Sequence, residues 1–416
     1  MIKGMRQRIG AGILAGLTLA AVGCDSLLEV SDPDVAIFDD IDPIRDQAVL
    51  SQSAYQNFVS VLGSLIVYGA WFTNEARVGD TFPTRNEFGL RTIDYRSNGT
   101  LNDELWAPLS LAVATSEEVL ELLKDAPDVG SNVNVARAAL TAGYSVLYMA
   151  EMFCEGTIRV GPVLNTNQML DHAISRFQQA ISTGDATGNA TGKAMADAAR
   201  VGLARAYLMK GEKENAAAAA DAVPADFEYA VAYFDDPAER ARLGNDVYNF
   251  TVARLSLVVG DEWRAIANNN PQDKRIAYQD AGRNAQDGVL RFYRQNKYTS
   301  WAQPIRLASK LEARYIHAEA TGNEAEQRAL INERRAANGL TPFAGTDAEL
   351  FNELMYQKAL DFWLEGQRMG DWRRVGAAVP FVPAAGSTYY KGGTIGTQTC
   401  WPVPDEETLN NPNWPK

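Results

Sequence analysis

The chain has 416 residues, 46% of them hydrophobic, enough to bury the core of one large domain or two ordinary ones. A formal charge of -13 argues against a phosphate-backbone partner and so against a nucleic-acid role. Two histidines and three cysteines leave little material for a His/Cys zinc site or a Ser-His-Asp triad, while calcium, which needs only oxygens, stays open.

Residues 1–23 read as an export signal. Lys3, Arg6 and Arg8 precede an apolar stretch from Ala11 to Val22 that is too short to span a bilayer as a stable helix. Ala21-Val22-Gly23-Cys24 has the form of a lipobox, at which a signal peptidase cuts and Cys24 becomes lipidated. Asp25, next to it, is an inner-membrane retention signal in some bacteria, which leaves the destination membrane open. Residues 24–42 read as a mostly extended, lipidated tether, and 43–416 as a single domain.

That domain is expected to be mainly α. Ile44 to Ala76 is one long helix, or two broken near Gly63 and Gly69. Residues 77–101, with Pro83 and Asn98-Gly99, read as a loop. Leu105 to Leu123 returns to helix, with Leu109, Val113, Val119, Leu120 and Leu123 as its stripe. Val133–Met152 pairs with Leu170–Ser182, and Lys193–Lys210 with Lys213–Ala222 across Gly211. Helix, short turn, helix, with alanines at the crossings, has the outline of a tetratricopeptide-like pattern, but the repeats are not self-similar enough for periodicity alone to establish it. The helical scaffold is thus assigned to 43–223 and 305–376. Between them, residues 224–304 are loop-rich, with Tyr229, Tyr233, Phe234, Tyr248, Phe250 and Trp263 set among Asp, Asn and Gly.

Ile305 to Gly376 reads as three long helices and a short closing turn. The first, to Thr321, carries Ile305, Ala308, Leu311, Tyr315 and Ala318 on one face. Gly322 stops it and Asn323 caps the next. Asp347 is expected to cap the third, and Gly366 to end it. Arg368, Asp371 and Arg374, three residues apart, are expected to pair on one face, with Trp372 packed inward. The tail is 377–416.

These landmarks resemble the SusD/RagB family of bacterial outer-membrane lipoproteins. Arg306-Leu307-Ala308 with Ala318-Glu319-Ala320, Asn332 to Arg335 with Gly339-Leu340, and Glu365-Gly366-Gln367-Arg368 with Asp371-Trp372-Arg373-Arg374 match the family's closing helices. Asp273-Lys274-Arg275, Lys297-Tyr298 and Trp401-Pro402-Val403-Pro404 with Asn411-Pro412-Asn413 resemble its other landmarks. The family's Glu-Arg pair in the third helix is Gln357-Lys358 here. The resemblance implies a lipid-anchored, surface-exposed outer-membrane protein on a tetratricopeptide-like scaffold. It would cap a SusC-like TonB-dependent transporter, capture an oligosaccharide or peptide, and need no cofactor. The alternative is a lipid-anchored helical-repeat scaffold that binds only protein partners.

No GxSxG, HExxH, Walker or GxGxxG motif is present, and no carboxylate pair stands out as a glycosidase site, so an enzyme is not expected. His172 and His317 fall in expected helices, where a lone histidine is a packing or surface residue. Rings on loops are how proteins hold sugars, by stacking on a pyranose while polar neighbours bond its hydroxyls. Two loops have that composition: one with Phe88, Arg91, Tyr95 and Arg96, the other with Tyr233, Phe234 and Tyr248. The competing reading buries these rings as plugs of the scaffold. Cys154 and Cys400 are either bridged or two buried free thiols, and the free thiols are taken ahead.

Overall fold

The computed structural model describes residues 42–415. The export signal, Cys24 and the tether as far as Ile41 lie outside the described residues. The chain opens with α1 (Gln47–Phe72), β1 (Arg77–Val78), α2 (Pro83–Leu90) and a π-helical turn, Leu101–Trp106, that leads into α3 (Ala107–Leu122). Next come α4 (Val133–Met152), β2 (Glu155–Gly156), β3 (Leu164–Asn165), α5 (Thr166–Ala186), α6 (Ala190–Lys210) and α7 (Lys213–Asp221). The looser middle holds β4 (Glu228–Val231), α8 (Arg240–Leu243), α9 (Asp246–Val252), β5 (Leu257–Val258), α10 (Asp261–Asn269), β6 (Tyr278–Asn284) and β7 (Arg291–Gln295). The last block is β8 (Ile305–Ser309), α11 (Lys310–Thr321), α12 (Glu324–Ala337), α13 (Asp347–Asp361) and α14 (Arg368–Val375), with α15 (Asp405–Asn410) in the tail. Strands pair antiparallel two by two: β1 with β5, β2 with β3, β4 with β8, β6 with β7. Among the described residues no helix is long and apolar enough to cross a membrane.

α1 is the axis of the core. It is buried without a break from Val61 to Phe72, the mark of a helix packed on every side. It runs straight through Gly63 and Gly69. Gly63 marks an approach instead of a break: a Cβ there would lie 2.6 Å from the Cβ of Asp246, whose carboxylate accepts from Ser64 Oγ at 2.8 Å. The hairpins follow the expected pairing. Asn132, Asn165 and Asn189 cap α4, α5 and α6 with their side-chain oxygens. Phe177 of α5 wedges against Gly143 of α4 and Gly202 of α6, where a Cβ would come within 2.7 and 2.4 Å of its ring. Small residues at the crossings let a ring fill the gap between three helices.

Four expectations are corrected. Residues 77–101 are not one loop: Pro83 sits at the start of α2, where its fixed φ and missing N–H suit a first helical turn. Ile305–Ser309 is a strand paired with β4, not the first turn of α11. Buried Ile305 and Leu307 fit a period of two, and Ser309 Oγ accepts from Glu312 N–H at 3.2 Å to start the helix after it. Thr346, not Asp347, precedes α13; the Glu349 carboxylate accepts from Thr346 N–H at 2.9 Å, while Asp347 pairs with Arg328. Cys154 and Cys400 are bonded, with Cα atoms 5.2 Å apart. They meet because the tail runs beside Phe153: Trp401 N–H donates to Met152 O at 2.7 Å and Cys154 N–H to Trp401 O at 3.0 Å.

The charged residues of the last block are clamps. Arg275, Arg334 and the Tyr315 hydroxyl converge on Asp361, and Lys297 and Arg306 on Glu365. Gln357 accepts from Arg275 at 2.8 Å and Lys358 pairs with Asp371 at 2.7 Å, so the pair that departs from the family pattern is still engaged. Asp371 also pairs with Arg374, but Arg368 turns away to the carbonyls of Thr73 and Pro380 and lies over the Trp263 ring. Trp372 is half-buried, edge-on to Phe72.

Candidate functional site

A cleft of about 540 Å³ opens where the C-terminal end of α1, β1, the first turn of α10 and the tail loop meet. Phe381, Tyr389 and Tyr390 from the tail wall it beside Trp71, and Asn74, Arg77 and Glu262 supply polar groups. The rings are held from behind. The Arg77 guanidinium lies over the Tyr390 ring at 5.1 Å, and Tyr389 O–H donates to Tyr390 Oη at 2.8 Å. Tyr390 Oη also accepts from Val78 N–H. Phe381 packs edge-on to Trp263, with centroids 5.5 Å apart. Asn74 and Phe381 both take left-handed backbone conformations, φ +56° and +62°, and Asn74 Nδ2 donates to Phe381 O at 3.1 Å. Each such residue costs on the order of 1 kcal/mol or more. Two of them linked by a hydrogen bond at the mouth of a cleft make a preorganised wall.

Two other clefts differ in character. One, of about 700 Å³, is lined by Tyr95, Glu155, Asp405, Thr408, Leu409 and Trp414, and lies beside the disulfide. The other, of about 690 Å³, is lined by the clamp residues Arg275, Lys297, Arg306, Asp361 and Glu365, each already spent on a partner.

The residues singled out from sequence scatter. Phe88 is fully buried, edge-on to Tyr68 and Trp401, and has no face to offer. Arg91 is buried too, bonded to Pro383 O and stacked on Trp372, where it props the tail loop. Tyr95 lines the cleft beside Trp414. Tyr233 is buried, Tyr248 packs edge-on to Trp301, and Phe234, 46% exposed, lines none of the three clefts described above. The rings that gather in the 540 Å³ cleft come instead from the tail, where Phe381 and Tyr389-Tyr390 stand among Pro, Gly, Ser and Thr. Aromatics in such a loop, far from any helical stripe, were the available signal. His172 bonds Glu117 and His317 bonds Glu326, each at 2.7 Å. Among the described residues no three His, Cys, Asp or Glu side chains are grouped to hold a metal.

Directly behind Asn74, Glu75 is buried and accepts from Leu364 N–H at 2.8 Å. Burial pushes its carboxyl from 4.5 up to about 7, against the pull of Arg368 and Lys297, with Glu365 pushing the same way as burial. The folded state therefore binds more protons than the unfolded state between these values, and stability falls as pH rises through that window. Wild-type protein is expected to lose on the order of 1–3 kcal/mol between pH 5 and pH 7.5 through this group. Urea denaturation of Glu75→Gln across that range is expected to show a shallower slope. An unchanged slope would mean that Glu75 is ionised throughout.

No protein-family model matches the chain, and no curated protein matches it. Solved structures do. A laminarin-binding SusD-like protein aligns with a TM-score of 0.68 at 15% identity, over 89% of this chain and 98% of that one. A SusD-like carbohydrate-binding protein from Bacteroides vulgatus gives 0.68 at 13% identity, over 89% and 97%. A putative sugar binding protein from the same organism gives 0.68 at 16%, over 90% and 98%. At such identities the likeness speaks for architecture: the chain has the SusD-like fold, mainly helical with tetratricopeptide-like hairpins.

Proposed function

We propose that this chain is a non-catalytic nutrient-binding lipoprotein of the SusD/RagB family. It is anchored to the outer membrane through Cys24, faces the cell surface, holds an oligosaccharide in the cleft between α1 and the tail, and delivers it to a TonB-dependent transporter. The observation that carries the reading is one cleft with the half-buried rings of Phe381 and Tyr390 on its wall, buried Tyr389 bonded to Tyr390, and Asn74, Arg77 and Glu262 between them. Rings give a sugar its apolar face and polar groups meet its hydroxyls. Support comes from the fold, shared over nearly the full length of solved proteins described as binding laminarin or carbohydrate. The lipobox at Ala21 to Cys24 supports the anchor.

Calorimetric titration against a panel of glycans and peptides tests it. Tyr390→Ala is expected to weaken saccharide binding about 5- to 10-fold, the worth of a lost ring contact, while Trp414→Ala in the neighbouring cleft leaves it unchanged. The reverse pattern would move the site to the cleft of Tyr95. A protein that binds no glycan, and no transporter recovered with it from membranes, would sink the reading.

A further inference from the structure

The polar groups of the cleft also speak to the charge of its ligand. Among the described residues that line it, Arg77 alone is cationic, and its charge is already spent. Nη1 lies 3.0 Å from Asp261 Oδ2, Nη2 lies 3.3 Å from Glu262 Oε2, and the face of the guanidinium covers Tyr390. Asp261 is shared between Arg77 and Arg264, so two carboxylates are matched by two guanidiniums and neither guanidinium is left unpaired. Glu262 keeps 36% of its side chain open, its contacts to Arg77 being long ones of 3.3 and 3.4 Å.

The hydrogen-bonding capacity points the same way. One N–H of the Asn74 amide donates to Phe381 O, which leaves its second N–H and Oδ1 for a ligand. The Glu262 carboxylate is acceptor-only, and exposed Thr388 adds a hydroxyl on the tail side. Donors and acceptors therefore both face the ligand, and the Glu262 carboxylate among them is met only by a ligand that brings O–H donors. A uronic or sialic acid would instead bring a second carboxylate to Glu262, with no free guanidinium to receive it. Like charges at such range repel, and the loss is felt most where water is displaced by rings.

We infer that the cleft selects uncharged, hydroxyl-rich saccharides and rejects acidic ones; this rests on the cleft being the saccharide site. The test titrates the purified protein with laminarin, as the neutral probe, a second neutral oligosaccharide, an oligogalacturonate and an alginate oligosaccharide, at low and high salt. The expected result is binding of a neutral probe that is insensitive to salt, with the acidic probes at least tenfold weaker. Glu262→Gln is expected to narrow that gap roughly five- to tenfold by removing one charge while keeping an acceptor oxygen, read as the ratio of acidic to neutral affinity. An acidic probe that binds tighter than the neutral ones, with affinity that falls as salt rises, overturns the inference and leaves the saccharide site standing. So does a gap that Glu262→Gln does not move. Binding to none of the four, or neutral binding indifferent to Tyr390→Ala, removes the site assignment itself.

Discussion

Asp361→Ala is expected to destabilise the protein by on the order of 3–5 kcal/mol, the cost of stranding buried charges without a partner. The carboxylate is almost wholly enclosed. It accepts from Tyr315 Oη at 2.7 Å, from Arg334 Nε at 2.9 Å and from Arg275 Nη1 at 3.1 Å. These donors come from α11, from α12 and from the segment before β6, so one side chain ties α13 to three other parts of the chain. Removing it leaves two guanidiniums facing each other, with Asp273, among the described residues, the one carboxylate still on Arg275. Urea denaturation is the measurement. The loss should persist in high salt, because buried charges are poorly screened. A loss below about 1 kcal/mol, the range of exposed pairs, would mean that the cluster relaxes into water.

The second large effect is expected at the disulfide. Cys154 and Cys400 lie 246 residues apart in sequence, so the bond closes a very long loop of the unfolded chain. Replacing both with alanine is expected to cost about 2–5 kcal/mol. Adding reductant should bring the wild-type urea midpoint down to that of the double variant and leave the variant where it is. Two alkylatable thiols in the native protein would show that the bond does not form. The native backbone bonds of Trp401 to Met152 and Cys154 remain when the bond is absent, so the loss should appear as stability and not as a misplaced tail.

How far the chain could be read from its residues follows from which interactions are local. Asn323 as a cap was legible because its acceptance from Glu326 N–H spans three residues. The hairpins of α4 to α7 were legible because apolar stripes and alanine spacing act within single helices, whereas the asparagine caps of α4, α5 and α6 came only from the structure. Ile305–Ser309 was not, since a short apolar run fits both periods and only its partner β4, far away in sequence, decides the matter. Arg368 was misassigned for a similar reason: three-residue spacing made Asp371 available, but the guanidinium bonds the carbonyls of Thr73 and Pro380, both distant in local spacing. The cleft was the least legible part. Phe88 has the same composition around it as a binding ring, yet it is needed to fill the space beside Tyr68 and Trp401. The loop composition around Tyr390 was a signal, but its place in a cleft depends on the tail returning across β1 to meet Arg77.

That return has a consequence in time as well as in space. The rings at Phe381, Tyr389 and Tyr390 follow every helix from α1 to α14 in the chain, and their wall is secured further on still, at Cys400 and Trp401. Their partners Asn74 and Arg77 belong to the opening segment. A chain in the course of synthesis therefore carries one half of the cleft from early on and acquires the other half only after the scaffold has been made. In the proposed site, both walls meet only in the completed domain. Occupancy of the cleft reports that the two ends of the domain have met.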